Sequence, residues 1–220
     1  MGYSENPLLK QHRMRPLDHI LSTQIVAIIR GADPDEIINI VEALKAGGIR
    51  TLEITINSPD ALSVIEKISD RFGQELLIGA GTVLDAETAR SAIIAGAQFI
   101  ISPTLDFEVI RTTRRYGCVS IPGAFTPTEI LKAYESGGEI IKVFPAILGP
   151  GYLKEISGPL RQIPLMPTGG VNLDNIQAFK KAGAVAFGIG SALVDSKQPV
   201  DDDYLSLLTD KAKAFVSAVS

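Results

Sequence analysis

The chain has 220 residues, 21 basic and 25 acidic, for a formal net charge of -4. That balance offers no electrostatic footprint for nucleic acid or an anionic membrane, although backbone amides can still hold a small anion locally. A single cysteine, Cys118, excludes an internal disulfide framework and fits a reducing compartment. No run approaches the ~20 apolar residues of a membrane span, and the polar start MGYSENPLLKQHRMRPLDH has no signal-peptide core, so a soluble, cytoplasmic protein is expected.

In chain order, residues 1–20 precede the first strand, and PLLKQHRMRPLDHIL within them is expected to form a helix covering the bottom of the fold. Eight short, mostly β-branched runs follow, alternating with helical patterns: IVAIIR, TLEITIN, LLIGAGT, QFIISP, CVSIPG, IIKVFP, PLMPTG and VAFGIG. Helix starts are marked by Asp33-Pro34 with Glu36, Ser58-Pro59, Asp85 with Glu87, and Thr126-Pro127 with Glu129 as a capping box. Helix ends share one pattern, in which KAGG, IAGA, ESGG and KAGA each lead almost directly into a strand. The last helix is expected over 201–219. Strand, helix and strand recurring at this spacing demand parallel pairing, and eight strands close a (β/α)8 TIM barrel, read here as one domain over 1–220 with an extra N-terminal helix. A doubly wound fold would carry a dinucleotide glycine fingerprint after its first strand; IIRGADPDE has one glycine, so NAD binding is disfavoured and no cofactor is expected.

Alternation along TLEITIN turns Leu52, Ile54 and Ile56 toward the helices and Thr51, Glu53, Thr55 and Asn57 inward. The same parity in EIIKVF turns Lys142 inward with Ile140 and Phe144. Two groups of opposite charge then share one interior. One reading is an ion pair that fills space. The other is chemistry, favoured by the habit of barrels to carry catalytic groups near strand C-termini and by the small net stability of buried ion pairs. A lysine desolvated by Phe144 and its apolar neighbours attacks a ketone to form an imine, and an inward carboxyl such as Glu53 moves the protons.

After strands seven and eight, MPTGGVNLDN and FGIGSALVD place Gly169, Gly170, Gly190 and Ser191 where barrels bind phosphate with loop amides and a helix N-terminus; ordinary βα turns are the alternative. Thr82, in GAGTVLD, is either a hydrogen-bond donor to a carboxylate or keto oxygen or simply a turn residue. Arg30, ending strand one, either clamps a carboxylate or forms a rim salt bridge. No metal site is expected: the two histidines, His12 and His19, precede the first strand, and one cysteine builds no soft site.

The segments LEITINSPDAL, IGAGTVLD, FIISPTLD, IPGAFTPTE, IKVFPA, PTGGVNLDN and GIGSAL, in this order over residues 20–218, resemble the bacterial 2-keto-3-deoxy-6-phosphogluconate / 4-hydroxy-2-oxoglutarate aldolase family. The resemblance implies a class I aldolase that cleaves a 2-keto-3-deoxy-6-phospho sugar acid to pyruvate and glyceraldehyde 3-phosphate, with 4-hydroxy-2-oxoglutarate to pyruvate and glyoxylate as a further reaction, and a homotrimer. Carried over by residue, it implies Lys142 as the Schiff-base lysine, Glu53 as acid/base, Thr82 at the pyruvyl group, Pro103 and Phe144 as pocket walls, and Thr168, Gly169, Gly170, Gly190 and Ser191 as the phosphate cradle. Gluconate-type members have an arginine where this chain has Asn57. EITINSP, IIRG and FPAILGPGYLKEI are closer to the phosphogalactonate branch, whose arginine at the end of strand one adds weight to Arg30, whereas PTGGV is gluconate-like. Both sugar types stay open. The competing functions are a phosphate-binding barrel isomerase of amino-acid biosynthesis, which needs no lysine in strand six, and a non-catalytic phosphometabolite-binding barrel, in which Lys142 forms no adduct.

Overall fold

A computed structural model describes residues 14–220. In chain order the elements are α1 (Pro16–Thr23), β1 (Ile25–Ile29), α2 (Ile37–Ala46), β2 (Thr51–Thr55), α3 (Ala61–Phe72), β3 (Leu77–Gly81), α4 (Ala86–Ile94), β4 (Phe99–Ile101), α5 (Phe107–Arg115), β5 (Val119–Ile121), β6 (Gly123–Ala124), α6 (Pro127–Glu135), β7 (Ile141–Val143), α7 (Gly149–Ser157), β8 (Leu165–Pro167), α8 (Ile176–Lys181), β9 (Phe187–Ile189) and α9 (Asp202–Val219). No helix among them is long and apolar enough to cross a membrane.

The result is an α/β fold with a curled sheet in which every strand pair is parallel. Hydrogen bonding divides the strands into a six-stranded sheet, β5-β4-β3-β2-β1-β9, and a three-stranded one, β6-β7-β8, instead of the single eight-stranded sheet expected. The division falls inside the expected fifth strand, at Pro122. Proline has no N–H for the ladder, so β5 ends before it and β6 begins after it, while the Pro122 carbonyl accepts from the Lys142 amide at 2.9 Å. Between β8 and β9 there are only two isolated bridges, Leu165 with Ala184 and Thr168 with Gly188.

Side-chain alternation sorts the core into two clusters. Leu52, Ile54, Ile141, Val143, Phe187 and Ile189 face the helices. Val26, Leu77, Phe99, Ile101, Ile140 and Met166 fill the lower interior, and Ile20 of α1 joins them with no exposed surface. Burying that one side chain contributes about 1.5–3 kcal/mol, which explains why α1 sits there. The helix begins at Pro16, a residue suited to a first turn, so Met14 and Arg15 lie before it; the rest of the expected 7–21 helix lies outside the described residues.

The four repeated helix ends behave alike. Gly48, Gly96, Gly137 and Gly183 have φ of 94°, 109°, 105° and 102°, and the amide after each reaches back to Leu44, Ala92, Ala133 and Phe179. This is the left-handed terminus that glycine adopts without a Cβ penalty. Asp85 caps α4 and Thr126 forms the full capping box on α6, as expected. Two other starts differ. Asp33 caps a turn ahead of α2, which itself begins at Ile37. Ser58 does not cap α3; its hydroxyl meets Thr55 Oγ1 at 2.9 Å and accepts from the Gly31 amide at 2.8 Å, tying the tops of β1 and β2 together. Asp106 and Asp201 cap α5 and α9.

Candidate active site

Above the apolar floor the interior turns polar. Glu53 from β2 and Lys142 from β7 are 1% and 3% exposed, as the alternation of both strands requires. No ion pair joins them, and neither Glu53 oxygen has a hydrogen-bond partner among the described residues. The space-filling pair is therefore not what the interior contains. Burial pushes the Glu53 carboxyl above its ordinary range, opposed by the positive charges of Lys142 and then Arg30. Burial likewise pushes the Lys142 ammonium below its ordinary value, opposed by the Glu53 charge and reinforced by Arg30. Each group is thus biased toward its neutral form. The Lys142 Nζ sits 4.7 Å from the centre of the Phe144 ring.

Lys142 opens into a cleft of about 530 Å³. Arg30, Phe144, Thr168, Gly169, Gly170, Gly190 and Ser191 line it too, together with Ile28 of β1 and the Asp195–Lys197 stretch beyond β9. Arg30, exposed at the end of β1, spreads its guanidinium over two neutral acceptors, Asn57 Oδ1 at 3.4 Å and Thr82 Oγ1 at 3.3 Å. No acidic partner holds it among the described residues, so the rim salt bridge is absent. Thr82 itself has a φ of 59°, a rare backbone for a β-branched residue and one that tends to mark functional sites. Asn57 and Thr82 therefore reach the cleft through Arg30. Pro103 is half-buried at the end of β4, with its carbonyl against Gly123, and does not line the cleft.

In the same cleft, the amides of Gly170 and Ser191 donate to no acceptor among the described residues. Of the helix starts expected after these loops, α8 follows the Gly169–Gly170 loop, but after β9 there is only a turn: Leu193 and Val194 donate to the Gly190 carbonyl at 2.9 and 3.0 Å, and no helix begins between β9 and α9. Sequence reading missed Asn175, whose side-chain amide donates to the Gly170 carbonyl at 2.8 Å and so orients that peptide. The Asx-rich VNLDN was the available signal. It also missed Gly81 and Gly188, whose absent side chains leave room for Glu53 and Thr168. His19 turns its ring to the Arg50 carbonyl at 3.2 Å, away from the cleft; His12 lies outside the described residues.

A desolvated amine, an unpaired carboxyl and a guanidinium gathered at strand C-termini are the equipment of an imine-forming aldolase. Comparison with known proteins agrees. A family model described as KDPG and KHG aldolase matches residues 17–208. The chain is 37% identical to the 2-dehydro-3-deoxy-6-phosphogalactonate aldolase of Escherichia coli K12, over 88% of this chain and 93% of that one. It is 40% identical to the 2-dehydro-3-deoxy-phosphogluconate aldolase of Pseudomonas aeruginosa, over 70% of each. A solved KDPG aldolase of Legionella pneumophila, with pyruvate captured at low pH as a covalent carbinolamine, superimposes with a TM-score of 0.80 at 30% identity, covering 90% of this chain and 97% of that one. The chain belongs to the KDPG and KHG aldolase family, whose members are carbon–carbon lyases.

Proposed function

We propose that this chain is a class I aldolase that cleaves a 2-keto-3-deoxy-6-phospho sugar acid to pyruvate and glyceraldehyde 3-phosphate, and 4-hydroxy-2-oxoglutarate to pyruvate and glyoxylate. The carrying observation is Lys142, a lysine 3% exposed, without an ion-pair partner, opening into a cleft. Its neutral amine adds to the keto carbon to give a carbinolamine. The protonated Glu53 carboxyl gives its proton to the carbinolamine hydroxyl, which leaves as water; the resulting protonated imine draws the electrons of the bond between C3 and C4 as the C4 hydroxyl gives its proton to the Glu53 carboxylate so formed. The aldehyde departs, the enamine takes a proton back at C3, and hydrolysis frees pyruvate and Lys142.

Arg30, positioned by Asn57 and Thr82, meets the substrate carboxylate, Phe144 walls the lysine, and Thr168, Gly169, Gly170, Gly190 and Ser191 receive the phosphate end. The relatives act on both galactonate and gluconate types by name, and turnover of the two C4 epimers ranks them for this chain. The bridges Leu165–Ala184 and Thr168–Gly188 support closure of the two sheets into one eight-stranded (β/α)8 barrel, and the long family match supports a single domain. A cytoplasmic homotrimer is the assembly that goes with this reading.

Borohydride reduction with pyruvate, followed by peptide mass analysis, tests the proposal. A reduced pyruvyl adduct on Lys142 is expected. Its absence from folded protein would sink the imine mechanism and leave the phosphate-binding isomerase as the better reading.

A further inference from the structure

In β3, LIGAG puts Leu77, Gly79 and Gly81 on the interior face and Ile78 and Ala80 on the helix face. Two glycines inside one strand weaken it, through lost packing and a larger entropy loss on folding. Neither has the positive φ that would require glycine. What excludes a side chain is the neighbouring strands. A Cβ at Gly79 would lie 2.4 Å from Cε2 and Cζ of Phe99; a Cβ at Gly81 would lie 1.6 Å from Oε1, 2.2 Å from Cδ and 2.6 Å from Cγ of Glu53.

Register explains why Glu53 occupies the higher gap. Its Cα pairs with Gly79, and Thr55 pairs with Gly81. The Phe99 ring already fills the space over Gly79, so the Glu53 side chain leans along its strand toward Gly81 at the C-terminal end. No hydrogen bond or ion pair fixes either carboxyl oxygen, which leaves packing to do it. The same device recurs across the interior: a Cβ at Gly188 would lie 2.3 Å from Thr168 Oγ1, another buried oxygen with no partner among the described residues.

The geometry points to Gly81 as a positioning residue: the gap left by its missing side chain is the seat that sets the height of the Glu53 carboxyl in the interior shared with Lys142. The inference rests on the acid/base role given to Glu53 above. Gly81→Ala must displace that carboxyl, and a misplacement of about 1 Å near the chemistry can cost up to ~100-fold. The test is a double-mutant cycle on kcat and on melting temperature.

Gly81→Ala is expected to lower kcat at least ~10-fold with Glu53 present, yet less than about twofold further in the Glu53→Gln background, because the two act as a unit. In the Glu53→Ala background, where the facing carboxyl is gone, Gly81→Ala should shift the melting temperature far less than in the parent chain. An undiminished kcat in Gly81→Ala, or the same fractional loss in both backgrounds, would overturn the inference. If Gly81→Ala alone does not fold, cooperative melting restored by adding Glu53→Ala supports the seat, and its absence refutes it. Near-normal turnover of Glu53→Gln alone would instead remove the acid/base role, and the melting cycle then reports on the seat by itself.

Discussion

Glu53→Gln keeps the shape of a side chain that is 1% exposed and removes its proton. Loss of a general acid/base slows turnover by ~100-fold or more, which is about 2.7 kcal/mol of transition-state stabilisation. The same change has a signed effect on stability. Burial raises the folded-state pKa of Glu53, and the opposing charges of Lys142 and Arg30 are smaller. A carboxyl whose folded pKa exceeds its unfolded value of ~4.3 contributes stability fully below ~4.3 and loses it as pH rises through the folded pKa. Within that window each pH unit costs the parent chain about 1.4 kcal/mol, or roughly 3–5 °C in melting temperature for a chain of this size. Glutamine loses nothing. Lys142 titrates in the opposite sense: with its folded pKa depressed by burial, its contribution is recovered as pH rises toward the ordinary ~10.4. Melts from about pH 4 to 7 should therefore show the Gln variant gaining on its parent as pH rises above ~4.3. A melting difference flat across that range would refute the raised carboxyl, whatever the turnover.

Arg30→Ala removes the guanidinium over Asn57 and Thr82. Charge-assisted hydrogen bonds contribute ~1.5–3 kcal/mol each, so the KM for pyruvate in the condensation direction should rise ~10-fold or more; an unchanged KM would make Arg30 a structural tie only. Thr126→Ala breaks the capping box on α6 at a cost of ~1 kcal/mol. A drop of roughly 2–4 °C in melting temperature with normal turnover is expected, and no drop would show the α6 terminus held by its packing alone.

Much of this was legible in the chain because it rests on local rules. Alternation in TLEITIN and EIIKVF put Glu53 and Lys142 inward, and both are there. The glycine-ended helices and the Thr126 capping box depend on neighbours a few residues away, and they formed as expected. At three places sequence reading fell short. Ser58 looks like a cap but serves Thr55 and Gly31; the turn after Gly190 looks like a helix start; Pro122 divides a run that reads as one strand. Ser58 accepts an amide from another strand top, the turn closes on its own Gly190 carbonyl without continuing, and Pro122 withholds the N–H that an unbroken ladder needs.

The sequence by itself determined the alternating elements, the faces of the strands and which charged side chains turn inward, since period, capping and glycine conformation are properties of the local backbone. Only the tertiary structure decided that Glu53 and Lys142 share a buried interior without pairing, that Arg30 gathers Asn57 and Thr82, and that the Glu53 carboxyl fills the space over Gly81. The physical reason is that desolvation and steric exclusion depend on everything packed around a group. Residues far apart in the chain supply that surrounding.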